Sequence, residues 1–455
     1  MRALMFGWEF PPHISGGLGT ACFGLTQGLS SHGVEVIFVV PRAFGDEDAR
    51  FASVVGANRV PMPGVQGTSA RRTRERKRVS EEPGSPASSI VELLEVESPL
   101  TPYLTEIEYL ERLREIEGAG GRKRSEVLRS LEEILGVRWT AGGPLPFTGG
   151  YGPTLMSEVA RFALVAAQIA RERAFDVVHA HDWMTLPAGL AAARASGKPL
   201  VFHVHACEYD RSGEHVNERV RDLEQLGLDV ADRVVCVSHY TAGVLRRRYR
   251  VDPGKIRVVH NAVTHREQVD LLHVQRAIDE PIVLFLGRVT FQKGPDYFLE
   301  AAARVIKIQP RVKFVMSGSG DMLPVMIERA AKLGLARHVH FTGFLKGEDV
   351  ERMYAMADIF VMPSVSEPFG ITPLEAMALD TPVVLSRQSG VSEILRNALK
   401  VDFWDVDDIA NKILALLAYP ALVEQLTLEG KEEIQRLRWE GPAGLVRDVY
   451  RELAP

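Results

Sequence analysis

Short apolar runs alternate with amphipathic stretches along most of the chain. Ala3–Trp8 is apolar, and Pro11 and Pro12 turn the chain. Gly16-Gly17-Leu18-Gly19 then leads into Thr20–His32, where apolar residues recur at helical spacing. Gly33 supplies a stop, and Val34–Val40 is a nearly unbroken apolar run, as in a strand covered on both faces. Similar runs recur at Asp176–His181, Pro199–Ala206, Arg233–His239 and Ile256–Val263. A second series follows at Ile282–Gly287, Val312–Ser317, Val339–Gly343, Asp358–Pro363 and Pro382–Ser386. Helical stretches such as Tyr297–Ile308 and Leu323–Leu335 lie between them. Strands that alternate with helices require crossover connections, and these predict parallel sheets.

The two series predict an α/β fold of two Rossmann-like, doubly wound parallel-sheet domains. The first spans residues 1–264 and the second 265–436. A linker lies at His265–Glu280, and a terminal helix occupies 437–455, with its pattern running Trp439–Leu453. Residues 64–150 break the alternation and read as a charged insertion. They contain a basic cluster (Arg71, Arg72, Arg74, Arg76, Lys77, Arg78), a loop at Glu81–Pro86, and the charged, helix-periodic stretch Glu106–Arg138. The cluster fits either a solvated loop or a contact with a phosphate or polymeric acceptor.

Composition narrows the classes. Of 455 residues, 46% are hydrophobic and 25% charged, as in soluble globular proteins, and the net charge of -5 gives no global basis for holding nucleic acid. No run approaches 18 uncharged apolar residues, so no transmembrane segment is expected. The apolar stretch after Met1 is too short for a signal peptide. Cys22, Cys207 and Cys236 lie far apart in apolar stretches, which predicts buried thiols in a reducing, cytoplasmic setting.

Open parallel sheets bind ligands beyond the carboxyl ends of their strands, so strand-end loops carry the candidate chemistry. Gly16 and Gly17 would let a phosphate approach a helix N-terminus. His179 and His181 share one face of a strand. With Asp182 they suggest a ligand pair, but no third partner is evident and no metal is expected. His181 lies nearer the strand end and faces substrate in this reading, while His179 is a structural hydrogen bonder. Arg288 and Lys293 sit in one strand-end loop and suit a diphosphate. Ser317-Gly318 forms another such loop. In Ser366–Glu375, Thr372 fits an N-cap with Pro373 first in the helix, which places Glu375 at a capping-box position. Glu367 has no such local role. The backbone near Gly370, Ile371 and Thr372 offers N–H donors to an anion.

Glu367 and Glu375, with seven residues between them, together with Arg288, Lys293, His181 and Gly16-Gly17, resemble retaining GT-B glycosyltransferases of the E-x7-E type. Within that group the likeness is to the glycogen and starch synthase-related branch. The resemblance covers nearly all the chain outside 64–150. It implies two domains facing a central cleft, with the terminal helix crossing back to the first. It also implies transfer of a glucosyl unit from UDP- or ADP-glucose to an α-glucan, or alternatively to a small sugar or lipid acceptor, with no metal or other cofactor. Arg288 and Lys293 would bind the donor diphosphate, Glu375 the ribose hydroxyls and Glu367 the sugar hydroxyls. Gly370, Ile371 and Thr372 would add backbone donors, His181 would lie near the anomeric centre, and Gly16 and Gly17 would admit the diphosphate.

Ile14 stands where synthases using ADP-glucose commonly carry Lys, which leaves the base open. Ser157-Glu158 stands where those synthases usually show Asp-Asn, and Glu158 is expected at the acceptor. A sugar-nucleotide epimerase of the same fold would share the nucleotide site but lack the paired glutamates. A non-enzymatic binding module would be expected to lose Arg288, Lys293 or Glu367.

Overall fold

The computed structural model describes residues 1–13, 16–62, 66–67, 137–138, 143–152, 154–263, 276 and 278–454. The first half builds a seven-stranded sheet from β1 (Arg2–Phe6), β2 (Glu35–Val40), β3 (Ser53–Gly56), β4 (Val177–His181), β5 (Leu200–Val204), β6 (Arg233–Cys236) and β7 (Ile256–Val258). Its order is β7-β6-β5-β4-β1-β2-β3, and every pairing is parallel. The second half builds a six-stranded sheet from β8 (Ile282–Leu286), β9 (Lys313–Ser317), β10 (Val339–Gly343), β11 (Ile359–Met362), β12 (Val383–Ser386) and β13 (Leu399–Val401). It runs β10-β9-β8-β11-β12-β13, also parallel throughout. The expected doubly wound α/β architecture is what forms.

Each sheet is apolar on both faces because helices cover both. Leu4, Phe6, Val178, Ala180, Leu200 and Phe202 point to one side of the first sheet. They meet the helices α2 (Leu155–Glu172), α3 (Asp182–Ser196) and α5 (Glu218–Val230). Ala3, Met5, Val177 and Val201 point to the other side, toward α1 (Gly17–Ser31) and the last helix, α13 (Glu440–Leu453). The short helix α4 (Glu208–Ser212) and α6 (His239–Arg248) complete this half. In the second half the helices are α7 (Pro295–Val305), α8 (Leu323–Lys332), α9 (Glu348–Met356), α10 (Thr372–Ala378), α11 (Val406–Ala418) and α12 (Pro420–Arg436).

The helix α1 begins at Gly17, three residues before the predicted Thr20, so the glycine-rich stretch is mostly helix rather than loop. Glycine also sets how closely α13 approaches it. A Cβ on Gly24 would fall 2.1 Å from the Trp439 ring, and one on Gly28 would fall 2.4 Å from the Trp439 carbonyl oxygen.

Pro61–Met62 pairs antiparallel with Gly143–Pro144, and Gln66–Gly67 with Val137–Arg138, so the two ends of the interrupting segment run side by side. Val137–Arg138 is thus strand and not the end of a helix. The basic cluster, most of Glu106–Arg138 and most of the predicted linker lie outside the described residues. All three cysteines are free and buried. Among the described residues no helix is long and apolar enough to cross a membrane.

Candidate active site

Strand order reverses once in each sheet, between β1 and β4 in the first and between β8 and β11 in the second. Crossovers diverge at such a point and open a crevice beyond the carboxyl ends of the strands. The candidate residues collect at these two places. Gly16 and Gly17 follow β1, His181 ends β4, Arg288 and Lys293 follow β8, and Glu367 follows β11.

In the second half, three loops pack backbone to backbone. Gly318 has φ +143°, and a Cβ on it would stand 1.8 Å from the Gly287 carbonyl oxygen. Gly294, in the left-handed region at φ +63°, lets the chain after Lys293 press against β11. A Cβ there would stand 2.2 Å from the Pro363 carbonyl oxygen. This approach brings the Lys293 ammonium onto the Glu367 carboxylate, and Ser364 Oγ donates to the same oxygen at 3.3 Å. The Lys293 and Glu367 side chains are only 18% and 8% exposed. Arg288 is exposed, and its guanidinium donates to Gln292 Oε1 at 3.1 Å. Gly370 (φ +96°) closes the loop, with space for a Cβ limited by Glu367 Cγ at 3.1 Å.

Three expectations are corrected here. The helix α10 starts at Thr372, Ile371 is its N-cap, and no side chain caps it. Thr372 therefore is not an N-cap and Glu375 closes no capping box. Instead Tyr354 Oη donates to Glu375 Oε2 at 3.3 Å. Burial first, and then the Glu375 carboxylate, push the Tyr354 hydroxyl well above its usual pKa, which keeps it a donor. Ser317 is buried, and its Oγ accepts from Thr342 Oγ1 at 2.9 Å, so its side chain is turned into the fold. Glu158 is buried and accepts from Thr148 N and Gly149 N at 3.0 Å each and from Thr148 Oγ1 at 2.6 Å. Its carboxylate holds that loop and does not face an acceptor.

In the first half, His181 is not at the surface of the cleft. It is fully buried within a cluster of four imidazoles. His179-x-His181 on β4 lies beside His203-x-His205 at the end of β5, with His181 opposite His203 in register. Ring centroids of neighbouring members lie 4.2–5.2 Å apart. His181 Nδ1 meets His205 Nε2 at 2.9 Å. His179 bonds Tyr450 Oη on α13 and meets His203 at 3.1 Å, which makes it the structural hydrogen bonder expected. Burial lowers the pKa of all four rings and favours neutral imidazoles. His181 Nε2 and His203 Nε2 are buried without a partner. The sequence offered His179 and His181 no third partner, whereas the sheet register and α1 supply His203, His205 and Cys22.

Sequence reasoning passed over the segment after β5, through which Asp210 contacts the second half. Asp182 adopts φ +58°, and its carboxylate accepts from His205 N at 2.7 Å and Ala206 N at 3.2 Å. Arg211 meets Asp182 at 3.5 Å and Glu224 at 3.1 Å. Asp210 is buried, accepts from Cys207 N at 2.9 Å, and accepts from Ser366 Oγ at 2.6 Å. Burial pushes the Asp210 carboxyl up, and Ser366 and Cys207 pull it back. Tyr240 Oη also reaches Ser366 Oγ, and the Ser238 and Thr241 hydroxyls donate to the Pro368 carbonyl oxygen. Residues of the first half thus clamp both sides of Glu367. Gly17 completes the approach, with a Cβ position 3.8 Å from Ile371 Cδ1. The signal was available, since Cys207-Glu208-Tyr209-Asp210-Arg211 is a charged run directly after an apolar strand.

The family model described as glycosyl transferases group 1 matches residues 271–433, and that of glycosyltransferase family 4 matches 122–267. A D-inositol 3-phosphate glycosyltransferase from Mycobacterium sp. (strain JLS) is 31% identical over 67% of this chain and 73% of its own. The chain belongs to the group 1 glycosyltransferases. An uncharacterized glycosyltransferase of Methanocaldococcus jannaschii is 26% identical to this transferase over 99% of the chain and 98% of its own. The transferase has the GT-B fold. Among similar structures, Anabaena HepE in complex with UDP-glucose matches with TM-score 0.62 and 17% identity, covering 100% of both chains.

Proposed function

We propose that this glycosyltransferase moves a glucosyl unit from UDP- or ADP-glucose to a carbohydrate acceptor, with retention at the anomeric carbon and no requirement for a metal. The observation that carries the reading is the Lys293–Glu367 pair, half sheltered at the second switch point with Arg288 at its mouth. The costly event in such a transfer is departure of a nucleoside diphosphate, which gathers negative charge. Cations fixed beside that charge stabilise it without reorganising. Lys293 has three N–H donors and Glu367 engages one, which leaves donors for phosphate oxygens. Glu367, held by Ser364 and by the clamp on its loop, then accepts from sugar hydroxyls. Glu375 meets the ribose, and the Gly17–Ile371 approach brings the first half's glycine loop beside the diphosphate. Gly16, Gly318, Gly370 and Thr372 line that path with backbone. In this reading His181 reaches the donor sugar through its unpartnered Nε2 when the cleft rearranges around the donor.

The resemblance to glycogen synthases supports an α-glucan acceptor. The relative named for D-inositol 3-phosphate supports a small phosphorylated sugar or polyol, and we favour this second acceptor. The test is nucleotide release from UDP- and ADP-glucose with EDTA present, across maltooligosaccharides, sugar phosphates and inositol phosphate. Release stimulated by one acceptor class identifies it. Loss of all release in EDTA would overturn the metal-independent mechanism.

A further inference from the structure

We propose that Cys22, His181 and His205 form a binding site for a thiophilic divalent metal ion of the Zn²⁺ class, placed beneath the cleft. The three side chains come from three elements, α1, the end of β4 and the loop after β5. The Cys22 sulfur and one nitrogen of each ring all lie within 4.8 Å of one another. Tetrahedral bonds of about 2.3 Å to sulfur and about 2.0 Å to nitrogen put such donors roughly 3.3–3.7 Å apart. Modest closure therefore completes the set.

The hydrogen-bond inventory also points to a ligand. Four imidazoles share one face of the sheet, and the contacts among them and Tyr450 use only some of the ring nitrogens. His181 Nε2 remains buried with no partner in a side chain that is 0% exposed. A buried polar atom left unpaired is costly, and a metal bound to the ring either takes the lone pair directly or frees the tautomer that resolves it. One sulfur and two imidazoles select Zn²⁺, Co²⁺ or a similar ion over Mg²⁺ or Ca²⁺, which prefer oxygen. Binding releases the Cys22 thiol proton and forms a sulfur–metal bond, with no change in oxidation state. The Asp182 carboxylate accepts the backbone N–H of His205 at 2.7 Å and so fixes the loop that carries this ligand.

Three protein ligands leave one coordination position open. An ion here also takes the His181 ring, which the proposed function directs toward the donor sugar. Occupancy therefore inhibits transfer, and that consequence rests on the proposed function while the metal site itself does not.

The experiment is a Co²⁺ titration of the full chain, read by absorbance. A single equivalent that gives tetrahedral d–d bands and a thiolate-to-cobalt charge-transfer band is expected, displaced by Zn²⁺. The charge-transfer band disappears in Cys22→Ser and the d–d intensity falls in His205→Gln. Cys207→Ser and Cys236→Ser leave both unchanged. Melting curves without metal verify that each variant is folded, and His205→Gln gives an independent test if Cys22→Ser is not. Absence of stoichiometric binding, or bands that persist in Cys22→Ser and His205→Gln, would overturn the site. Bands lost instead in Cys207→Ser would do the same. Binding without loss of nucleotide release would uphold the site and remove His181 from the donor contacts.

Discussion

At the residue scale, the second switch point is a set of close backbone approaches that place two charges. Lys293 reaches Glu367 because Gly294, lacking a Cβ, lets the chain press against the Pro363 carbonyl oxygen, which a Cβ would meet at 2.2 Å. Gly294→Ala must both leave the left-handed region and clear that oxygen, which costs roughly 1–3 kcal/mol. It should lower the melting temperature and turnover together. Lys293→Ala should lower kcat by about 10²–10³ with a smaller change in donor KM, because its charge matters most as the diphosphate leaves. Steady-state kinetics decide this, and an intact kcat with raised KM would exclude the leaving-group role. Glu375→Gln separates two readings of one carboxylate. With no capping box at α10, it should weaken nucleotide binding by about tenfold and leave the melting temperature nearly unchanged. Calorimetric binding of UDP and ADP alongside a melting curve measures both.

At the element scale, the strands were readable because buried parallel strands are nearly all apolar. The runs at β2, β4 and β9 stand out from their flanks for that reason. Two of the four edge strands, β3 and β13, were missed. They are short and partly exposed, so no apolar run marks them. The start of α1 was misplaced because Gly16, Gly17 and Gly19 read as a loop, although the helix begins at Gly17. The imidazole cluster was half legible. Period two put His179 and His181 on one face, but only the pairing of β4 with β5 sets His203 and His205 against them. Pairing between strands 24 residues apart is not written in either run. Asp210 and Ser366 show the same limit across 156 residues. Packing at the α1–α13 seam yields its own prediction. Gly28→Ala puts a methyl 2.4 Å from the Trp439 carbonyl oxygen and 2.7 Å from Ala443 Cβ. It should destabilise the first domain by about 1–3 kcal/mol, measured by denaturant titration, with the second domain's transition unmoved.

At the scale of the molecule, the two halves meet through polar groups that respond to pH. Glu393, on the second half, accepts from the backbone N–H groups of His239 and Tyr240 at the start of α6 and from His260 Nε2 at 2.7 Å. Burial opposes its ionisation, but the His260 ring and the two N–H groups prevail and hold its carboxyl below the ordinary range. The folded state thus binds the proton less tightly than the unfolded chain. The contact contributes stability above the ordinary glutamate range and loses it as pH falls through the lowered value. Acidification below the ordinary glutamate pKa of about 4.3 should separate the halves, seen as a rise in radius of gyration by small-angle scattering. Glu393→Gln should flatten that dependence. The return of α13 to the first sheet has a different consequence, for biosynthesis. Trp439, Ala443, Val446, Val449 and Tyr450 belong to the same core as Ala3 and Met5, and Tyr450 bonds His179 on a central strand. A ribosome delivers these residues only after the whole of the second sheet has been made. The first sheet must therefore wait for α13 to close its core, and a nascent chain stopped short of residue 439 exposes that sheet face to chaperones.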